Sequence, residues 1–392
     1  MVLPFEQISP HLLAAIAALG AAVVLAAGVR WYLSPGEALD GTTIPPMSLD
    51  GPSCIVIPRP GGYDQLQARK LGGVSPATQG ATSGMEGVPP DQLVTVRVVA
   101  AGVNYADVCI RWGLYASWNK FGGGRRYNSG GDDSTAGRVS DIHNVPGFEF
   151  SGTVEAVGSG VDNFCVGDPV FGVSLFGCYS SRLVVPAHCC FKRPAKLLTA
   201  TQAAALPVVA MTAYFAVERQ AAPIAAGDLV LVHSAAGGVG SMLVQMCKIK
   251  GWRVCAVVGS AHKVDACKIL GADCVVDKSA TPHWWLEVER FAPAGFAAVF
   301  DANGVATLSQ SWEHLAPCGK LIVYGFHTML PKRGGVLGPV QWLGLARDWL
   351  RTPRFNPLDM TSSNRSVLAF NLSFLFDRRD IFETVRAPPP YQ

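Results

Sequence analysis

The sequence predicts an α/β protein in which a β-rich domain precedes a doubly wound parallel sheet. Three observations carry this. From about Thr199 onward, strand-like runs alternate with amphipathic helical runs. A glycine-rich turn, Ala235-Ala-Gly-Gly-Val-Gly240, sits between one such strand and one such helix. From about Cys54 to Cys190, Gly and Pro cut the chain into short β-rich pieces instead. Repeated βαβ units imply a parallel sheet with helices on both faces, whereas short irregular strands imply a barrel or sandwich.

Composition sets the outer bounds. The chain has 392 residues, 49% hydrophobic and 16% charged. That length suits two or three domains, and the apolar fraction excludes a mainly disordered chain. The net charge of +3 offers no concentrated basic face, so nothing argues for a nucleic-acid partner. Eleven cysteines without a C-x-x-C pair argue against a disulfide scaffold and for a reducing compartment.

The first element is an apolar run, Leu12 to Val29, free of charged or strongly polar side chains. As a helix it spans roughly 27 Å, slightly short of a bilayer core. Trp31 and Tyr32 follow it, and Arg30 is the nearest basic residue. The run reads as a transmembrane signal anchor that leaves the later residues in the cytosol, on an organelle, vesicle or other membrane. A cleaved signal or transit segment and a buried Ala-rich helix are the alternatives. The expected organisation is a hydrophobic segment over 1–35, a linker over 36–50, a β-rich domain over 51–190, a dinucleotide-binding domain over 191–375 and a tail over 376–392.

In the β-rich part, strands are expected at Cys54–Pro58, Leu93–Val99, Gly152–Val157 and Arg182–Val185. The stretch 117–144 carries Gly122–Gly124, Arg125–Arg126 and Asp132–Asp133 and reads as a surface insertion. The second part predicts four strand–helix steps and a closing strand. Leu229–His233 leads to a helix from Val239, and Arg253–Val258 to a helix near Lys263–Leu270. Cys274–Val276 leads to Trp284–Phe291, and Ala297–Asp301 to Leu308–Leu315. Lys320–Gly325 ends that series, and Ser366–Leu375 reads as a sixth strand.

The glycine turn places Ala235, Gly237 and Gly240 at the three positions of the dinucleotide fingerprint. Gly237 lets backbone approach a pyrophosphate, Gly238 frees the turn, and Gly240 permits close helix–strand packing. The amides of Ala236 to Gly240 then face the phosphates at a helix N-terminus. The end of the second strand chooses the nucleotide. It reads Val258-Gly-Ser-Ala-His-Lys263, with no carboxylate before Asp265 to bind a ribose 2′-hydroxyl. Ser260 and Lys263 suit a 2′-phosphate instead, so NADP(H) is the expected cofactor.

These residues resemble the medium-chain dehydrogenase/reductase superfamily in its zinc-free quinone-oxidoreductase branch, nearest the vesicle amine transport protein-like group of synaptic vesicle membrane proteins. The resemblance covers about Cys54 to Phe376. Its motifs are Ala101-Gly-Val-Asn-Tyr-Ala-Asp107, Arg111-Trp-Gly-Leu-Tyr115, Val145-Pro-Gly-Phe-Glu-Phe-Ser-Gly152, Val166-Gly-Asp168, Ala204-Ala-Leu-Pro207, Thr212-Ala-Tyr214 and Val367-Leu-Ala-Phe-Asn-Leu372, together with the glycine turn. It implies a GroES-like catalytic domain beside a Rossmann domain with NADP(H) in the cleft. By the same resemblance Thr212, Asn303, Tyr324 and Phe326 lie along the cofactor, and relatives pair as homodimers through edge strands.

Zinc-using relatives carry Cys and His where this chain has Asn104 and Phe148, leaving Glu149 alone, so no metal is expected. Without a Lewis acid, the feasible chemistry is hydride transfer from NADPH to a quinone or an α,β-unsaturated carbonyl. The resemblance assigns Asn104 and Tyr115 as the catalytic donors that face the developing oxyanion. Asp107 and Asp168 read as turn-fixing residues, and His233 as a satisfied buried imidazole. The chain ends sooner than its relatives after the sixth strand, so the return segment of the catalytic domain reads as truncated. A second reading follows from that: a catalytically inactive membrane-associated protein that binds a lipid or a partner on the same fold.

Overall fold

The computed structural model describes residues 51–70, 88–121, 144–330, 338–376, 378 and 380. The Leu12–Val29 run, its linker, most of the 117–144 stretch and nearly all of the tail lie outside these residues. Among the described residues, no helix is long and apolar enough to cross a membrane.

Strands β1 (Ser53–Val56) and β2 (Gln67–Lys70) form a small antiparallel pair. Strand β3 (Leu93–Ala101) follows, with the run Leu-Val-Thr-Val whose branched side chains suit a pleated surface. Two short helices come next, α1 (Tyr105–Arg111) and α2 (Ala116–Lys120). Strands β4 (Glu149–Val157), β5 (Pro169–Val173), β6 (Arg182–Pro186) and β7 (Cys190–Lys192) complete a five-stranded sheet. Its order is β6-β3-β4-β5-β7 and every pairing is antiparallel. Val94, Val96, Phe150, Val154, Val170 and Leu183 meet in its core. Burying each such side chain contributes about 1.5–3 kcal/mol.

Helix α2 corrects one expectation. The surface insertion was expected to start at Ser117, but Ser117 and Trp118 are buried. The Trp118 ring packs edge-on against Phe176 with centroids 4.8 Å apart. One large aromatic outweighs the polar composition around it, because it carries most of the apolar area that the segment can bury.

The chain then crosses through α3 (Ala200–Ala204) and α4 (Pro207–Tyr214), which runs on into one stretch of π-helix over Phe215–Ala221. Thr199 and Gln202 form a capping box at the start of α3, and Pro207 opens α4 where its missing N–H costs nothing. The second sheet follows in alternation: β8 (Leu229–His233), α5 (Gly238–Ile249), β9 (Arg253–Val258), α6 (Val264–Ile269), β10 (Cys274–Asp277), α7 (Trp285–Phe291), β11 (Phe296–Asp301), α8 (Leu308–Glu313), β12 (Leu315–Val323), α9 (Pro339–Arg351), α10 (Pro357–Ser363) and β13 (Ser366–Ala369).

All pairings in this sheet are parallel and its order is β10-β9-β8-β11-β12-β13. Val230 and Val232 point into one core layer, while Leu231, between them, points into the other. Both faces are covered, so the strands read as unbroken apolar runs. Successive strands leave β8 in opposite directions, and the order reverses between β8 and β11. Open α/β sheets bind ligands at that switch point, beyond the carboxyl ends of the strands. The sixth strand is shorter than expected and stops at Ala369. Asn371 ends it, because its Oδ1 accepts the Ser373 N–H at 3.0 Å and caps a short helix over Leu372–Phe374.

Candidate functional site

The glycine turn leaves β8 at the switch point. Ser234 takes a left-handed conformation with φ of 52°, and Gly237 caps α5. The Gly237 N–H closes the turn on the Ser234 carbonyl at 2.8 Å, and the Ala235 N–H bonds to Val257 on the neighbouring strand at 3.1 Å. A Cβ on Gly240 would overlap the Ser234 carbonyl and lie 2.8 Å from the Ala235 Cα. Only glycine lets α5 approach its own strand this closely. Ala236 and Val239 complete the turn and pack partly buried against the core. The first turn of α5 therefore presents its unpaired amides beyond the end of β8.

Across the switch point, β11 ends in a dense polar knot around the fully buried Asp301. Its Oδ1 accepts the N–H groups of Asn303 and Gly304 at 2.7 and 3.2 Å. Its Oδ2 accepts the hydroxyls of Thr307 and Ser311 at 2.7 and 2.9 Å. Asn303 reaches the glycine turn, where its Oδ1 accepts the Ser234 hydroxyl at 2.8 Å. The Asn303 Nδ2 is buried without a hydrogen-bond partner among the described residues. His233 bonds Ser311 through Nε2 at 2.9 Å, while its Nδ1 has no partner among the described residues. The expected satisfied imidazole is thus only half satisfied. Burial holds its pKa below the ordinary value, against the pull of Asp301.

The second-strand residues fall at the end of β9. Ser260 and Lys263 bracket a short 3₁₀ turn, with Lys263 exposed. Parallel pairing sets Asp277 opposite Val258, so Lys278 follows directly beside this turn. Its Cε lies 3.6 Å from where a Cβ on Gly259 would stand. The sequence reading missed Lys278, since it lies in the next βαβ unit and only strand pairing brings it here.

The β-rich part meets this rim at three points. Asn104 sits at the N-terminus of α1 and donates from Nδ2 to Glu149 Oε1 at 2.8 Å. The other Glu149 oxygen accepts the Val208 N–H of α4 at 2.8 Å. Glu149 is buried, which pushes its carboxyl up to about 7 despite those two bonds. In turn α4 packs on the glycine turn, with Val209 against Gly238, and Thr212 on the same helix bonds its hydroxyl back to the Val208 carbonyl at 2.7 Å. Tyr115 packs edge-on against Phe148, and its hydroxyl contacts Asn371 Oδ1 and Ser373 Oγ, both at 3.3 Å. Burial raises the Tyr115 pKa above the ordinary phenol value. Tyr105 meets His327 ring to ring at 4.6 Å. Tyr324 packs on Phe370 beyond β12, whereas Phe326 is half exposed beside Gly304.

The turn-fixing aspartates behave as expected. Asp107 accepts the Asn104 and Gly147 N–H groups at 2.9 and 3.0 Å, and Asp168 accepts the Cys165 N–H at 3.0 Å. Among the described residues, no three His, Cys, Asp or Glu side chains gather as a metal site.

Residues 90–196 match the family model for the alcohol dehydrogenase GroES-like domain, and residues 238–345 match the model for zinc-binding dehydrogenase. The human synaptic vesicle membrane protein VAT-1 homolog is 31% identical over 324 residues, covering 82% of this chain and 72% of that protein. The chain belongs to the medium-chain dehydrogenase/reductase superfamily. Solved dehydrogenase/reductase structures share its fold. A quinone oxidoreductase from Pseudomonas syringae pv. tomato is 25% identical with a TM-score of 0.59, covering 86% of this chain and 89% of its own. The Escherichia coli quinone oxidoreductase complexed with NADPH is 23% identical with a TM-score of 0.59, covering 85% and 87%. The β-rich and doubly wound parts are therefore the GroES-like and Rossmann domains of a medium-chain dehydrogenase/reductase.

Proposed function

We propose that this chain is an NADP(H)-dependent oxidoreductase that reduces a quinone or an α,β-unsaturated carbonyl without zinc. The observation that carries the reading is the glycine turn at the switch point, bonded through Ser234 to Asn303, whose buried Nδ2 has no hydrogen-bond partner among the described residues. The residues fit the cofactor. The α5 amides over Ala236 to Gly240 take the pyrophosphate, and Asn303 Nδ2 offers a donor beside it. Ser260, Lys263 and Lys278 take the 2′-phosphate by hydrogen bond and charge. Thr212, Tyr324 and Phe326 flank the nicotinamide end. When bound, NADPH supplies the hydride.

The remaining chemistry falls to this chain's own side chains. As the acceptor gains a hydride, its carbonyl oxygen gains negative charge. Asn104 Nδ2 carries two hydrogens, and Glu149 takes one, leaving the second for that oxygen. Glu149 acts as a positioning residue, since it holds the Asn104 amide and the start of α4 together. The Tyr115 hydroxyl is protonated at neutral pH, as any phenol is, and burial moves its pKa further up. Its contacts of 3.3 Å are long, and a closer substrate oxygen displaces them.

The donor set does not suit zinc. Asn104 and Phe148 supply no ligand, and both Glu149 oxygens are already engaged by N–H groups. The Leu12–Val29 run would anchor the protein in a membrane with these domains in the cytosol, close to apolar quinones. A homodimer through β13, which ends the parallel sheet, belongs to the same reading.

The test is direct. NADPH should raise the melting temperature of the purified protein, and a soluble benzoquinone should drive loss of NADPH absorbance. No thermal shift with NADPH would sink the cofactor assignment. Binding without turnover would favour the second reading, a non-catalytic binder. That reading draws on one observation: Asn104 gives one amide hydrogen to Glu149, and the Tyr115 hydroxyl already contacts Ser373 within the protein.

A further inference from the structure

Two of the eleven cysteines meet across one strand pair. Cys255 on β9 and Cys274 on β10 stand opposite each other in the parallel register. Opposed residues point to the same face of a sheet, and both side chains enter the core layer of Leu231, Val257, Val276 and Trp285. Neighbouring strands run about 4.8 Å apart, inside the Cα separation of about 4.4–6.8 Å that a disulfide spans. The Cys255 thiol donates a hydrogen bond to the Cys274 sulfur. That bond holds Cys274 below the ordinary thiol range, against burial and the charges of Glu287 and Asp273. The same bond, together with burial, pushes Cys255 well above it. Access differs in the same sense. Cys255 is fully buried, whereas Cys274 opens the edge strand β10 and is partly exposed.

We propose that Cys255 and Cys274 form a redox modification site that hydrogen peroxide closes to a disulfide. The Cys274 thiolate attacks one peroxide oxygen and the O–O bond breaks. A sulfenic acid forms, and the departing hydroxide recovers the proton that Cys274 released, giving water. The Cys255 sulfur then attacks the Cys274 sulfur and the S–O bond breaks. The hydroxide that leaves carries off the Cys255 proton as a second water. The two sulfurs together lose two electrons and one peroxide gains them. Exposure assigns the roles: the accessible Cys274 meets the oxidant and the buried Cys255 resolves it. In a reducing compartment such a bond is transient and serves to sense oxidants. Cys274 stands four residues before Lys278, so the link also fixes the strand that leads to that lysine. The proposal does not depend on the oxidoreductase reading.

The experiment uses the full chain, reduced, freed of reductant, treated with hydrogen peroxide, alkylated and digested. Mass spectrometry should find the peptides carrying residues 255 and 274 joined with the loss of two hydrogens, and dithiothreitol should release them. Dilution before oxidation should leave the joined fraction unchanged, as a bond within one chain requires. Closing a loop of about 20 residues should raise the melting temperature by roughly 5 °C, reversibly. Cys274→Ser should lose both the link and the rise and leave Cys255 reduced. The mapping on the wild-type protein stands without any variant. Cys274 oxidised to sulfinic acid while Cys255 stays a free thiol overturns the proposal, as does either cysteine joined to another partner. A melting temperature that falls on oxidation also overturns it, since a bond that suits the register strains neither strand.

Discussion

Replacing Glu149 with glutamine removes one buried titratable group while keeping its shape. In the folded protein burial moves this carboxyl from 4.5 to about 7. Between those values the folded chain keeps a proton that the unfolded chain has released. Rising pH therefore favours unfolding across this window. The stabilising contribution is complete below about 4.5 and is lost as pH passes about 7. At about 1.4 kcal/mol for each pH unit, the wild-type protein loses about 3 kcal/mol here that Glu149→Gln does not. Asp107, raised to about 6, titrates in both proteins; its charge adds only the smallest of the influences on Glu149, so most of its own contribution is common to the two curves. The glutamine oxygen still accepts the Val208 N–H, and Asn104 can turn its amide to accept from the new amide nitrogen. That rearrangement shifts stability by a constant and leaves the slope diagnostic. Urea unfolding followed by circular dichroism over a pH series measures it. Superposable slopes would refute the argument that burial raises the Glu149 carboxyl.

Three further outcomes are expected. Lys278→Ala should raise the Kd for NADPH about tenfold and leave that for NADH unchanged, because one charge-assisted contact to the 2′-phosphate is lost; calorimetry with both nucleotides checks it, and parallel weakening would argue against the assignment. Gly240→Ala should cost about 1–3 kcal/mol, since the new methyl meets the Ser234–Ala235 backbone, and should erase the NADPH-induced thermal shift. Tyr115→Phe should slow quinone turnover about tenfold or more at unchanged NADPH affinity, whereas an unaltered kcat would remove Tyr115 from the reaction.

Much of the architecture was legible because it is local. The runs at Leu229, Arg253, Cys274 and Phe296 are apolar on both faces, as strands covered by helices must be, and the glycine turn marks where a helix starts close to its strand. What sequence spacing could not reveal are contacts made across long separations. Tyr115 meets Ser373 from 258 residues away, and Glu149 meets Val208 from 59. Lys278 reaches the nucleotide turn only through the β9–β10 register. Asn104 is expected from the resemblance as an amide donor toward the oxyanion, and spacing gave no sign that one of its hydrogens goes to Glu149. The helix at Ala116–Lys120 was hidden by the Gly- and charge-rich composition that follows it.

The knot around Asp301 has a consequence for energetics. Four donors converge on one carboxylate within nine residues, from Asn303 to Ser311, so the loop beyond β11 has few alternative shapes to sample. A rim already frozen loses little conformational entropy when a guest arrives, and affinity drawn from its contacts is retained rather than spent on ordering.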